Sequence, residues 1–427
     1  MISLIGNTIL FIICMTFIIY CASLCQKSLV RQRRLVNRPV GHRRVADYSV
    51  FNAETLDERL KLRAKANARL VEAFDIENSF TTTDVSVHRR FLKRANDAIR
   101  LPHAGDWVRL SEVADTMLDL SVSHLNKGFP CLPLAPLVRV LGFGIVLNIL
   151  FDVEPSMIDL NCAQDATNAI NHLWIQSKDY RITPSLYQRK LLDHTLRRLL
   201  PREFPCDDRS HPLNLIMPAY ETLWRVVVLT FVEAAGRNED PNTAKQLLDA
   251  VKNVPQCFGQ RDDPEIQALA FAKEGLRLYP PTKRIYRATS TAHCDRGVTT
   301  ANVEGCHRNT SAWGSDALEF KPARFHEWPR QGATNPLVQL MHPELYRNEP
   351  IYMPFGVGKH ICPAAAGFGE RLITLLIVKL TQRFGTRQTG LELYLGDDDV
   401  QQRPATPLPS GRGDMEQWVI EMKGDEQ

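Results

Sequence analysis

The chain has 427 residues, 44% of them hydrophobic and 23% charged, with a formal net charge of +4. These proportions are those of a globular protein and exclude a disordered chain, a collagen and a multi-span membrane protein. A charge so near balance gives no general footing for nucleic acid, and none is expected as a partner.

From Met1 to Gln26 no side chain is charged, and the stretch from Thr8 to Tyr20 is almost wholly apolar. A helix of about 20 apolar residues spans a bilayer core. Lys27, Arg31, Arg33, Arg34, Arg38, Arg43 and Arg44 follow, with no acid before Asp47. These seven cations, taken from the total of +4, leave residues 45–427 at −3. A cleavable signal would place its charge ahead of a shorter apolar core. The positive-inside tendency therefore predicts a single N-terminal transmembrane anchor over 1–26 and a basic linker over 27–47 that includes Pro39-Val-Gly41. One large domain over 48–427 would lie on the cytoplasmic side. Ten cysteines are scattered without a Cys-x-x-Cys pair, as expected of reduced thiols.

Leu56, Leu60, Leu70 and Phe74 recur at helical spacing over 54–74, and Phe91, Ala95 and Ile99 do so over 85–99. Ser156 followed by Asp159 reads as the start of another helix. Residues 284–300, 391–395 and 417–422 have strand-like composition but are short. No repeat of 20–50 residues occurs. The expected fold class is mainly α with small β-sheets. The chain has no phosphate loop, no His-Glu-x-x-His zinc site and no Gly-x-Ser-x-Gly nucleophile elbow. The pairs His293-Cys294 and Cys306-His307 fit no common zinc-finger spacing.

The informative segment is 354–370, where Phe355, Gly358, His360 and Cys362 fall in the pattern Phe-x-x-Gly-x-His-x-Cys. Glycines let a loop approach a flat partner closely. Pro363 suits a first helical position, and a helix is expected from about Pro363 through Arg383. Cys362 then lies at a helix N-terminus, where unpaired N–H groups favour thiolate over thiol. A thiolate on a glycine-rich loop backed by a helix is what axial ligation of a haem iron requires.

This loop resembles that of the cytochrome P450 family, whose haem iron is held by a cysteine thiolate. Two further motifs stand in the family's order. Lys273 to Pro281 carries Glu274 and Arg277 three apart, as in the family's K helix. Phe320-Lys-Pro-Ala-Arg-Phe325 is similar to its Phe-x-Pro-Glu-Arg-Phe, with Ala323 in place of the acid. The resemblance implies that Arg324 closes a buried network with Glu274 and Arg277, and that this network holds the cysteine loop. Upstream, Ile216 to Trp224 looks like the family's oxygen-binding helix, with Glu221 and Thr222 as a proton-relaying acid–alcohol pair. Pro218 is expected to distort that helix.

The resemblance implies haem b (iron-protoporphyrin IX) as cofactor, with Cys362 as axial ligand and Phe355, Gly358 and His360 in the haem loop. His360, Arg287 and Arg89 stand at positions that contact the propionates. Arg89, Arg90, Lys93 and Arg94 give one helix a basic face suited to an acidic electron donor. The implied enzyme is a monooxygenase of the endoplasmic reticulum membrane. It would hydroxylate or epoxidise an apolar small molecule with O₂ and electrons from NADPH–cytochrome P450 reductase, with cytochrome b5 as a further candidate donor. The wording around Tyr220 and Tyr279 is similar to fungal members associated with secondary metabolism. A haem-thiolate isomerase, dehydratase or peroxygenase is the first alternative, and a non-catalytic haem-binding protein the second.

Overall fold

A computed structural model describes residues 55–100, 104–126, 128, 130–201, 211–288, 298–327, 351–396 and 406–422. The predicted anchor and the basic linker lie outside these residues, as does the pair His293-Cys294.

Local chemistry sets the helix boundaries. Thr55 caps α1 (Leu56–Ala66) by accepting the Glu58 N–H, and Asp57, Glu58, Arg63 and Lys65 complement the helix dipole. The helical pattern over 54–74 is interrupted at Asn67, so α2 (Ala68–Phe74) is a separate element. Asn67 donates its side-chain amide to the carbonyls of Arg63 and Phe80, a local alternative to continuing the helix. Asp84 caps α3 (Val85–Ala98). α4 (Ala104–Leu125) precedes the first strand. Ser156 falls in a 3₁₀ turn, Pro155–Met157, rather than at a helix start. The cap of α6 (Leu160–Gln176) is Asp159, whose carboxylate accepts the Cys162 N–H.

The core is built on two apolar helices. α5 (Leu134–Phe151) and α8 (Leu213–Phe231), the latter extended by a π turn over Val232–Arg237, are long and apolar enough to cross a membrane. Both are enclosed by the protein over 83% of their apolar window, so they serve as interior helices. They pack on each other; α4 and α6 flank α5, and α7 (Leu186–Leu199) packs on α6. α9 (Pro241–Asn253) and α10 (Asp263–Leu278) follow α8. A Cβ on Gly275 would stand 1.9 Å from Thr230 Oγ1, so the crossing of α10 over α8 requires glycine there. Two short helices, α11 (Val303–His307) and α12 (Thr310–Trp313), precede α13 (Phe368–Phe384).

The three expected strand segments form strands, and Cys131–Pro133 adds one that the sequence did not place. β1 (Cys131–Pro133), β5 (Val419–Glu421) and β4 (Leu393–Tyr394) form an antiparallel sheet with β5 in the middle, Ile420 facing both Leu132 and Leu393. The 284–300 segment is a hairpin, β2 (Ile285–Ala288) against β3 (Val298–Ala301), pairing Arg287 with Thr299.

Pro218 lies inside α8 and has no N–H to give the Asn214 carbonyl four residues earlier. That carbonyl is taken by the Asn78 amide at 3.1 Å, while the Asn214 side chain accepts the Glu77 N–H at 2.8 Å. The loop before α3 thus fills the gap in the α8 hydrogen-bond ladder.

Candidate haem site

Cys362 sits at the end of a closed loop. Its N–H donates to the Phe355 carbonyl at 3.0 Å, and Gly356 N–H donates to the Met353 carbonyl at 3.0 Å. Gly356 and Gly358 adopt φ of +73° and +74°, which other residues rarely tolerate. The Phe355 ring lies so close to Gly369 that a Cβ there would be 2.7 Å from it. α13 starts later than expected: Pro363–Ala365 is a single 3₁₀ turn, Gly367 turns left-handed at φ +93°, and the helix begins at Phe368. The full dipole of a long helix therefore does not act on the sulfur.

The Cys362 thiol is accessible, yet protein surrounds it on most sides, as for a group lining a recess. Burial pushes its pKa up; the Ala364 N–H and the Arg63 charge pull the other way without prevailing. A metal ion supplies what the protein does not, because a coordinating thiol is deprotonated outright.

Beside this thiol lies a cluster of arginine and histidine side chains from four parts of the chain. Arg63 Nη1 donates to Ser79 Oγ at 3.1 Å and approaches His360 Nδ1 at 3.5 Å, with its guanidinium 4.1 Å above the Phe80 ring. Ser79 Oγ lies 2.8 Å from His88 Nδ1, and the rings of His88 and His360 meet edge-on at 5.5 Å. Burial first, then the charge of Arg287, push Arg63 down to about 9. Burial, then Arg63 and Arg287, push His360 down to about 3; burial brings Arg287 to about 10. Among the described residues no carboxylate lies within ion-pair distance of Arg63 or Arg287, and His360 Nε2 is buried without a partner.

α8 presents a second accessible surface. From 212 to 235 every side chain is buried except Pro218, Ala219 and Thr222. α3 packs against both α8 and the turn after Cys362 and so bridges the two. Thr222 Oγ1 donates to the Pro218 carbonyl at 3.0 Å. Glu221 turns away: it is buried and ion-paired with Arg412, whose Nη1 lies 3.2 Å from Glu221 Oε1 and 3.2 Å from Asn171 Oδ1. Successive residues on a helix point about 100° apart, so the expected acid–alcohol pair does not share one surface.

The predicted triad is assembled. Arg277 makes a two-pronged ion pair with Glu274, Nε–Oε2 at 2.6 Å and Nη2–Oε1 at 2.8 Å, both side chains fully buried. Arg277 Nη1 also donates to the carbonyls of His307 and Ala317 at 2.8 and 2.7 Å. Arg324 Nε lies 3.4 Å from Glu274 Oε1, to which the Lys321 N–H donates at 2.7 Å.

Residues 267–390 match the family model described as Cytochrome P450. This stretch, which holds the cysteine loop and the Glu274–Arg277–Arg324 triad, is of the cytochrome P450 family. It is 27% identical over 158 residues to cytochrome P450 71A27 of Arabidopsis thaliana, covering 34% of this chain and 29% of that protein. It is 34% identical over 150 residues to a cytochrome P450 of Panax ginseng, covering 33% and 38%. A flavonoid 3′,5′-hydroxylase of Crocosmia x crocosmiiflora is 26% identical over 40% of this chain and 32% of its own length. The chain thus spans about a third of the length of these curated relatives. A six-coordinated cytochrome P450 of Thermus thermophilus superposes with a TM-score of 0.52 at 17% identity, over 80% of this chain and 83% of the other. A mutant P450DA haem domain gives 0.54 at 14%, over 84% and 82%. The fold is that of the cytochromes P450, mainly helical with small sheets.

The family's cofactor is haem with a cysteine-thiolate ligand, and the residues present here suit it. Cations that face no described acid, together with an unpartnered imidazole nitrogen, match the two haem carboxylates, and the accessible thiol matches the iron. Among the expected contacts, His360 and Arg287 join this cluster, whereas Arg89 is exposed and its neighbour His88 turns inward. Sequence reasoning missed Arg63 and His88. The available signal was that Arg59 and Arg63 flank Leu60 on the buried side of α1, an unusual place for arginine.

Proposed function

We propose that this P450 is a membrane-anchored haem-thiolate monooxygenase acting on an apolar small molecule. What carries the reading is the juxtaposition of an accessible Cys362 thiol with buried Arg63 and half-buried Arg287 and His360. Cys362 would hold the iron, and Arg63, Arg287, His360 and His88 would hold the propionates. The haem, when bound, supplies oxygen activation and transfer of one oxygen atom to the substrate. Thr222, alone accessible among polar groups of α8, would hold a proton-bearing water above the site. Ala219 and Pro218 would narrow that space and limit bulk water. The exposed Arg89, Arg90, Lys93 and Arg94 share one face of α3 and suit an acidic reductase surface, with cytochrome b5 as an alternative donor. Attachment to the endoplasmic reticulum through 1–26 belongs to the same reading, as does a role in secondary metabolism.

The test is the absorption spectrum of the reduced, carbon-monoxide-bound protein. A strongly red-shifted Soret band is expected, and Cys362→Ala should abolish it. A band without that shift in the parent protein would defeat the assignment.

The ion pair that takes Glu221 away from Thr222 favours a second reading, a peroxide-using or isomerising haem-thiolate enzyme. Turnover without NADPH and reductase would support it, and strict dependence on both would exclude it.

A further inference from the structure

Between the Glu274–Arg277 network and the cysteine loop lies His307, the last residue of α11 and fully buried. Its carbonyl accepts from Arg277 at 2.8 Å. Its ring Nε2 accepts the Met353 main-chain N–H at 2.9 Å. The ring stacks on Tyr352, centroids 5.6 Å apart and planes at 25°. Tyr352 in turn meets Phe325 of the Phe320–Phe325 motif at 5.1 Å, and Phe325 meets Trp313 at 6.0 Å. Trp313 Nε1 donates to the Cys306 carbonyl at 3.1 Å and closes the circuit. One residue therefore touches the network with its main chain and the loop with its side chain.

The connection continues to the sulfur in short steps. The Met353 carbonyl accepts the Gly356 N–H, and the Phe355 carbonyl accepts the Cys362 N–H, both at 3.0 Å. A fixed Met353 thus fixes the turn on which Cys362 is presented.

We propose that His307 is a positioning residue for the cysteine loop: its imidazole takes the Met353 N–H and registers the loop against the Glu274–Arg277 network. The inference rests on Cys362 being the iron ligand. Burial and the Arg277 charge push the ring down to about 3, so it is neutral near pH 7 and keeps a lone pair to accept with. A metal role for the Cys306-His307 pair is disfavoured by the same contacts. Nε2 is engaged, burial pushes the Cys306 thiol up to about 12, and no metal-binding group of His, Cys, Asp and Glu occurs among the described residues.

His307→Gln keeps an acceptor, whereas His307→Phe keeps a stacking ring and removes it. Both are compared with the parent as full-length, haem-loaded protein, by hydrogen exchange at the Met353 amide and by the share of the reduced carbon-monoxide complex showing the thiolate-type band. For His307→Phe we expect exchange about tenfold faster, the loss of one neutral hydrogen bond, and a reduced thiolate-type share. His307→Gln should restore both. Unchanged exchange in His307→Phe, or equal damage in His307→Gln, overturns the proposal. If His307→Phe does not accumulate, His307→Gln decides alone: retained Met353 protection supports the role and lost protection refutes it. If the parent lacks the thiolate-type band, the haem assignment has failed, and Met353 exchange still judges the contact to His307.

Discussion

Glu274, Arg277 and Arg324 form a buried cluster in which the acid, the cations and several main-chain groups satisfy one another. Arg63, Arg287, His88 and His360 form a second cluster in which the described residues provide no carboxylate. Both are desolvated, and both hold residues far apart in sequence. The first, with Asp316 Oδ1 2.8 Å from Arg324 Nη1 as the second acid, is complete in charge and serves as scaffold. The second is complete only when an anion arrives, and it pushes its own members toward neutrality meanwhile. A buried charge cluster can thus be sorted by asking whether its counter-charge is already part of the chain.

Substitutions should separate the two. Glu274→Gln leaves Arg277 without its partner, and breaking such a buried pair costs about 3–5 kcal/mol; the thermal midpoint should fall steeply and little folded protein should accumulate. Arg63→Gln should act in the opposite sense. Haem retention, followed by transfer to a haem acceptor, should weaken by roughly tenfold or more, the value of a hydrogen bond to a charged group. The haem-free protein should be no less stable, since a desolvated cation has been removed. If Arg63→Gln unfolds the protein as Glu274→Gln does, the distinction collapses.

Acid should probe the scaffold side. His307 is held near 3 against an ordinary 6.5, so between those values the unfolded chain binds a proton that the folded protein refuses. Stability should therefore decline as pH falls below 6.5, by up to about 1.4 kcal/mol per pH unit from this residue. In His307→Gln that share of the slope should vanish from the pH dependence of urea denaturation. The smallest effect on stability is expected at Thr222→Ala, within about 0.5 kcal/mol because the hydroxyl is accessible. Peroxide released per NADPH consumed should nevertheless rise; unchanged coupling would remove Thr222 from the proton path.

The cysteine loop, the two segments of the Glu274–Arg277–Arg324 triad and three of the four described strand regions were legible because each is written in contiguous residues; β1, only three residues long, was not. The cluster of Arg63, Arg287, His88 and His360 was legible only in part. Arg63 and His360 are 297 positions apart, and nothing local announces that they meet. Arg89 was read from the resemblance to the family, whereas the burial face of α3 turns its neighbour His88 inward. The separation of Glu221 from Thr222 follows from helix geometry alone and could have been anticipated. The delayed start of α13 turns on Gly367, whose left-handed φ interrupts an otherwise helical run.

A nineteen-residue rod with apolar sides carries few directional contacts that define its lengthwise position. The paired asparagines 78 and 214 act as a latch on that position. The height at which Thr222 stands in the molecule is therefore registered by this loop together with the Gly275–Thr230 crossing and the Glu221–Arg412 ion pair.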